Sequence, residues 1–182
     1  MSVPMPSSVP PPLTLADRWA RELGKTTRLM ELLDSDGSKG VVLLIVHRDH
    51  RLFIQARGEC IVVTVLIEIP TEVTAAIARQ SAPMKRRIEV NLRTELASNG
   101  RTAFTLRPAA MTDIEQLRRI TVEQLMKVSE DDPSSFNRLA DAIQEVVTTA
   151  ARASAVLTPF LPTEEGAQHG PDDLGFPSNM YA

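Results

Sequence analysis

Three sets of residues have types that could do chemistry, and each set needs particular neighbours to do it. Gly24-Lys25-Thr26 reproduces the tail of a phosphate-binding loop. Such a loop is a G-x-x-x-x-G-K-[ST] run between a strand and a helix, so that its backbone amides turn toward the phosphates. Here Trp19 stands where the first glycine belongs, and the residues ahead of Gly24 have helical spacing. Gly24 as a helix terminator accounts for the same letters, so no nucleotide or other cofactor is expected. His47, His50 and Cys60, with Asp49 beside them, are the clustered soft ligands. Zinc needs three or four such groups converging at about 2.0–2.3 Å. His47 and His50 differ in strand parity around a turn, and Cys60 begins another strand. A surface turn and one buried thiol is the expected reading, with a small metal-binding protein as the alternative. A Cys–His nucleophile pair lacks an oriented base and an oxyanion hole. No catalytic residue is therefore assigned, and the chain reads as a non-enzyme.

The third set is Lys85, Arg86, Arg87, Arg93 and Arg101, the most basic stretch of the chain. A nucleic-acid surface couples such charge with stacking or groove-reading groups. No aromatic residue lies within 83–101, and Glu89 and Glu95 are interleaved, Glu89 being placed four residues before Arg93 as a helix-stabilising pair. The stretch reads as a solvated helix face. Lys85, Arg86, Arg87 and Arg93 are the candidate partner-binding residues, better suited to an acidic protein than to RNA or DNA.

The totals narrow the class. A chain of 182 residues with 43% apolar and 24% charged residues fits one soluble domain with tails. A net charge of −3 gives no bulk attraction to nucleic acid or anionic membrane. One cysteine excludes an intrachain disulfide framework and suits a reducing cytosol. "MSVPMPSSVPPPL" lacks the basic and apolar regions of a signal peptide, and runs such as "IVVTVLIEI" are too short for a membrane helix. A cytoplasmic protein is expected.

The elements that must position these residues follow from periodicity. Residues 1–13 read as a disordered Pro/Ser-rich tail and 159–182 as a flexible acidic tail, leaving 14–158 as a single α+β domain. Phe160, Leu161, Phe176, Met180 and Tyr181 are apolar anchors scattered at the far end. "LTLADRWARELG" opens the domain as a helix with Thr14 as its cap and Gly24 as its stop. Strands are expected at 40–47, 51–57 and 60–70, joined by short polar turns, while "TTRLMELL" (26–33) fits either an edge strand or more helix. "TEVTAAIARQ" is a helix with Thr71 as its cap. A second follows from Ser81 to Asn99-Gly100, with Met84, Ile88, Leu92 and Leu96 on the stripe that faces the sheet. Strands return at 101–108 and 118–130, although 112–127 also fits a helix through Ile114, Leu117 and Leu125. The last helix runs from Asp132 and Pro133 to Leu157, with Phe136, Ala140, Ile143, Val147, Ala150, Ser154 and Leu157 as its seam.

The expected order is α-βββ-αα-ββ-α, a mostly antiparallel sheet in an α+β fold. With "CIVVTVLIEIP" running into a broken helix, and "NLRTELASNGRTAFTL" ending a helix at glycine before a strand, it resembles the type III secretion chaperone-like fold. The resemblance covers about 15–157 and is nearest to small uncharacterised prokaryotic proteins of that fold. It implies a non-enzymatic dimer, and the secretion chaperones themselves bind extended segments of partner proteins. The residues agree on one point. A sheet with one wet face alternates apolar and polar, whereas "VVLLIV" and "IVVTVLI" are apolar on both faces, so a second cover is needed. The expected function is therefore a non-catalytic, chaperone- or adaptor-like protein-binding module that forms a homodimer. A nucleic-acid-associated regulator using the basic helix 83–101 is the alternative.

Overall fold

A computed structural model describes residues 9–33, 39–47 and 50–162. The expected tail segments 1–8 and 163–182, with Phe176, Met180 and Tyr181, lie outside the described residues, as does Asp49. The fold is α+β, with a six-stranded antiparallel sheet and four α-helices among the described residues. In chain order the elements are α1 (Pro11–Glu22), β1 (Thr26–Leu33), β2 (Lys39–His47), β3 (His50–Arg57), β4 (Cys60–Glu68), α2 (Thr71–Ala78) and α3 (Ala82–Ala97). Then come β5 (Ala103–Arg107), a 3-10 turn (Ile114–Gln116), β6 (Arg119–Lys127), α4 (Ser134–Leu157) and a 3-10 turn (Thr158–Phe160). The sheet order is β1-β2-β3-β4-β6-β5. Residues 26–33 are thus a strand, which adds one member to the expected order.

The chain packs as two compact units. The first comprises the described residues of Met1–Val65 and Glu123–Thr148, the second those of Leu66–Val122 and Thr149–Ala182.

In the first unit, α1 begins at Pro11, ahead of the expected Thr14. A proline in the first turn sacrifices no hydrogen bond, because those amides have no intrahelical acceptor. Leu13 is fully buried and anchors this turn, so 11–13 belong to the helix and not to a tail. Leu13, Ala16, Trp19 and Ala20 form its buried stripe. The helix ends in two bonds, Gly24 N–H to the Arg21 carbonyl and Lys25 N–H to that of Ala20, both 2.9 Å. Together with Gly24 at φ +70° they make a Schellman stop. The chain then turns directly into β1, where Thr27 Oγ1 donates to Asp17 Oδ1 at 2.6 Å and fixes α1 on the Thr27 face of the sheet.

The register is continuous across β1 to β4. Thr27 lies opposite Ile45, Ile45 opposite Leu52 and Leu52 opposite Val65. Leu29, Leu43, Ile54 and Val63 form the neighbouring row of the same face. The members of these rows on β2, β3 and β4 are buried, each contributing on the order of 1.5–3 kcal/mol by leaving water. The β3–β4 turn is two residues, Gly58 at φ +59° and Glu59, between the paired Arg57 and Cys60. Positive φ at its first position matches the twist of a tight hairpin.

In the second unit, Ile69 N–H donates to the Arg118 carbonyl and Arg118 N–H to the Arg107 carbonyl, both at 2.8 Å. Ile114 and Leu117, which suggested a helix over 112–127, are buried around the short 3-10 turn that contacts both α2 and α3. The strand reading holds for 119–127. Three details depart from expectation. Pro70 occupies the cap position of α2, and Thr71 is already inside the helix. Ser81 caps α3 by position only, without a side-chain hydrogen bond. Met84 is 41% exposed, so only Ile88, Leu92 and Leu96 of the expected stripe are buried.

Candidate functional site

His47 and His50 are register partners at one end of the β2–β3 hairpin. Lys25 Nζ lies 2.8 Å from His47 Nδ1, so the lysine of the supposed phosphate loop serves this hairpin end. Cys60 pairs with Arg57 at the opposite end of β3. Seven steps of about 3.3 Å put roughly 23 Å between the two ends. The His47/His50 pair and Cys60 are therefore separated by the length of a strand. Cys60 is half-buried rather than buried. Among the described residues, no three His, Cys, Asp or Glu side chains converge as metal ligands do.

The basic stretch is divided by its own helix. Lys85 is paired with Glu115, which holds the lysine above its usual value through a hydrogen bond. Arg93 Nε donates to Glu89 Oε1 at 2.9 Å, the i,i+4 pair expected from spacing. Arg86 and Arg87 are exposed on the outer surface of α3, next to Met84 and the 54% exposed Val90. Of the four candidate residues, the structure leaves Arg86 and Arg87 outside ion pairs among the described residues.

A second surface went unnamed at residue level. On the first unit, the sheet face opposite α1 carries two rows. One runs Arg28, Leu44, Phe53, Thr64 from β1 to β4, and the other Met30, Val42, Gln55, Val62. Two bonds fix β6 alongside β4: Val128 N–H to the Glu59 carbonyl at 3.3 Å, and Ile69 N–H to the Arg118 carbonyl. An antiparallel ladder through both puts Glu123 opposite Thr64 and Leu125 opposite Val62. Leu125 is 61% exposed and Val46, on the adjoining row, 43%. Met30, Leu44 and Phe53 are half-buried, and Val42 and Val62 are buried. Large apolar side chains thus line this sheet face, and among the described residues Leu125 and Val46 on it are exposed. The signal in the sequence was parity, because Leu125 interrupts the alternation of Ile120, Val122 and Met126.

Phe160 and Leu161 belong to the second unit, where they line an open groove of about 520 Å³ with Glu72, Ala76, Arg79 and Gln80. Beside it, a small apolar pocket of about 20 Å³ is bounded by Ile67, Val73, Leu157 and the buried Ser154.

No family model matches the chain, and no curated protein matches its sequence. Solved structures do match. An uncharacterised protein from Methanothermobacter thermautotrophicus superposes with a TM-score of 0.63 at 18% identity, over 81% of this chain and 97% of that one. YbjN from E. coli, described as a candidate transcription regulator, superposes more loosely, with a TM-score of 0.43 at 14% identity over 80% of this chain and 89% of that one. The first likeness supports the fold.

Proposed function

We propose that this protein is a non-catalytic, cytoplasmic protein-binding module of the type III secretion chaperone-like kind, working as a homodimer. One observation carries the reading: the exposed apolar sheet face of the first unit, with Leu125 and Val46 projecting into water and Phe53 and Leu44 half-covered. Large apolar side chains exposed on a sheet face point to an interaction site. A flat face offers area and shape, and the described residues bring no converging ligand set to it. The element order supports the chaperone-like kinship. No described helix is long and apolar enough to cross a membrane.

The test is size in solution. Light scattering during size-exclusion chromatography is expected to give twice the chain mass for the wild type and one chain mass for Leu125→Asp. A wild type that stays monomeric at high micromolar concentration defeats the dimer reading. Arg86 and Arg87 favour a subsidiary reading, contact with an acidic protein segment across α3. Nucleic acid is the less suited partner there, since two free guanidinium groups neutralise few phosphates. Steeply salt-dependent DNA or RNA binding, lost in the Arg86→Ala/Arg87→Ala double variant, would reverse that preference.

A further inference from the structure

We infer that the open sheet face of the first unit pairs with the same face of a second copy about a two-fold axis running along β3, with Arg28 of each copy opposite Glu123 of the other. The inference rests on the homodimer reading above and adds its surface and geometry. Two sheets stacked face to face are related by a two-fold axis lying in the plane between them. That axis can run along the strands or across them, and the charges on the face distinguish the two.

One row of the face reads Arg28, Leu44, Phe53, Thr64, Glu123 across five adjacent strands, basic at one margin and acidic at the other. The margins are four strand spacings apart, roughly 19 Å, so the two charges cannot meet within one chain. Neither forms an ion pair among the described residues. An axis across the strands through this row sets each Arg28 on its own copy, a like-charge contact, and one between the two rows sets Arg28 on Met30, so neither gives Arg28 an acidic partner. An axis along the central strand reverses strand order between the copies. Phe53 then stacks on Phe53, Leu44 meets Thr64, and Arg28 meets Glu123 twice. The second row agrees independently. Met30, Val42, Gln55, Val62, Leu125 places Met30 on Leu125 and Val42 on Val62, apolar on apolar, with Gln55 meeting Gln55 at the axis. Aligned sheets pack about 10 Å apart with strands inclined by about 30°. The exposed Arg51, one row further on β3, meets its own copy, a single like-charge contact that the two Arg28–Glu123 contacts outnumber.

Charge reversal tests the arrangement, because an isologous contact is made twice. Arg28→Glu and Glu123→Arg are each expected to weaken self-association at least tenfold, as measured by sedimentation. Mixed in equal amounts, the two variants should form a heterodimer of near wild-type affinity, and the double variant R28E/E123R should recover the homodimer. Circular dichroism and thermal midpoints of the single variants report whether they remain folded, and rescue on mixing excludes misfolding as the cause. Preferential pairing of R28E with wild type, without rescue by E123R, would place the axis across the strands and overturn the inference. A dimer broken by Leu125→Asp yet indifferent to both reversals also overturns it while leaving the dimer reading intact. A monomeric wild type sinks both.

Discussion

Gly24 shows how one residue can be read twice. In the sequence it completes three letters of a phosphate loop, and in the structure its positive φ lets two amides close the end of α1. A Cβ placed there would meet nothing within 4 Å, so replacing the glycine carries a conformational cost and no clash. Gly24→Ala is expected to lower unfolding free energy by about 1 kcal/mol in urea denaturation. Asn at the same position should lose less, because it tolerates the left-handed region. An alanine variant as stable as wild type would show that the turn does not depend on that φ. Lys25 and Thr26 then have ordinary work, the first against His47 and the second at the start of β1.

At the scale of elements, sequence and structure agree where one signal dominates and part where two compete. The runs forming β2, β3 and β4 are apolar and separated by short polar turns, so their identity does not depend on distant partners. "TTRLMELL" carries Leu29, Met30, Leu32 and Leu33 at spacings that fit neither period, and it became a strand by pairing along the whole of β2. The start of α1 was misplaced because three prolines suggest an extended chain until Leu13 is seen to be buried. The open sheet face was half legible. Strands apolar on both sides announced a second cover, but which residues face outward depends on the side α1 takes, and that is fixed by the Asp17–Thr27 bond and by register. The start of α4 was legible in Asp132, although the helix begins at Ser134 and not at Pro133. Its carboxylate accepts from the Ser134 hydroxyl at 2.7 Å and the Ser134 amide at 2.9 Å, and it pairs with Arg138. The Ser134 hydroxyl, then its amide, then Arg138 hold Asp132 below the usual aspartate value of 3.8. A depressed folded value means that its stabilisation is present above the unfolded value and lost as pH falls through the folded one. Thermal midpoints of wild type and Asp132→Ala should therefore differ at pH 6 and converge well below pH 3.8. A constant gap across that range would assign the effect to something other than this carboxylate.

For the molecule as a whole, the face proposed to meet a second copy is drawn from segments far apart in the chain. β1 to β4 follow one another through short turns, but β6 returns to β4 only after a long excursion, and the Glu68–Arg119 ion pair spans 51 positions. Closing such a loop costs entropy that grows with the logarithm of its length, whereas adjacent hairpins close cheaply. The meander is expected to be largely formed in the folding transition state and β6 to dock afterwards. In stopped-flow kinetics, Gly58→Ala should then slow refolding, while Met126→Ala in β6 should chiefly speed unfolding. Equal slowing by both would reject that order. Leu125 and Glu123 arrive with β6, so a growing chain carries an incomplete face with basic charge and no acidic counterpart. Under the proposed pairing, a half-made copy offers Arg28 no acidic partner, and association would wait until each chain carries β6.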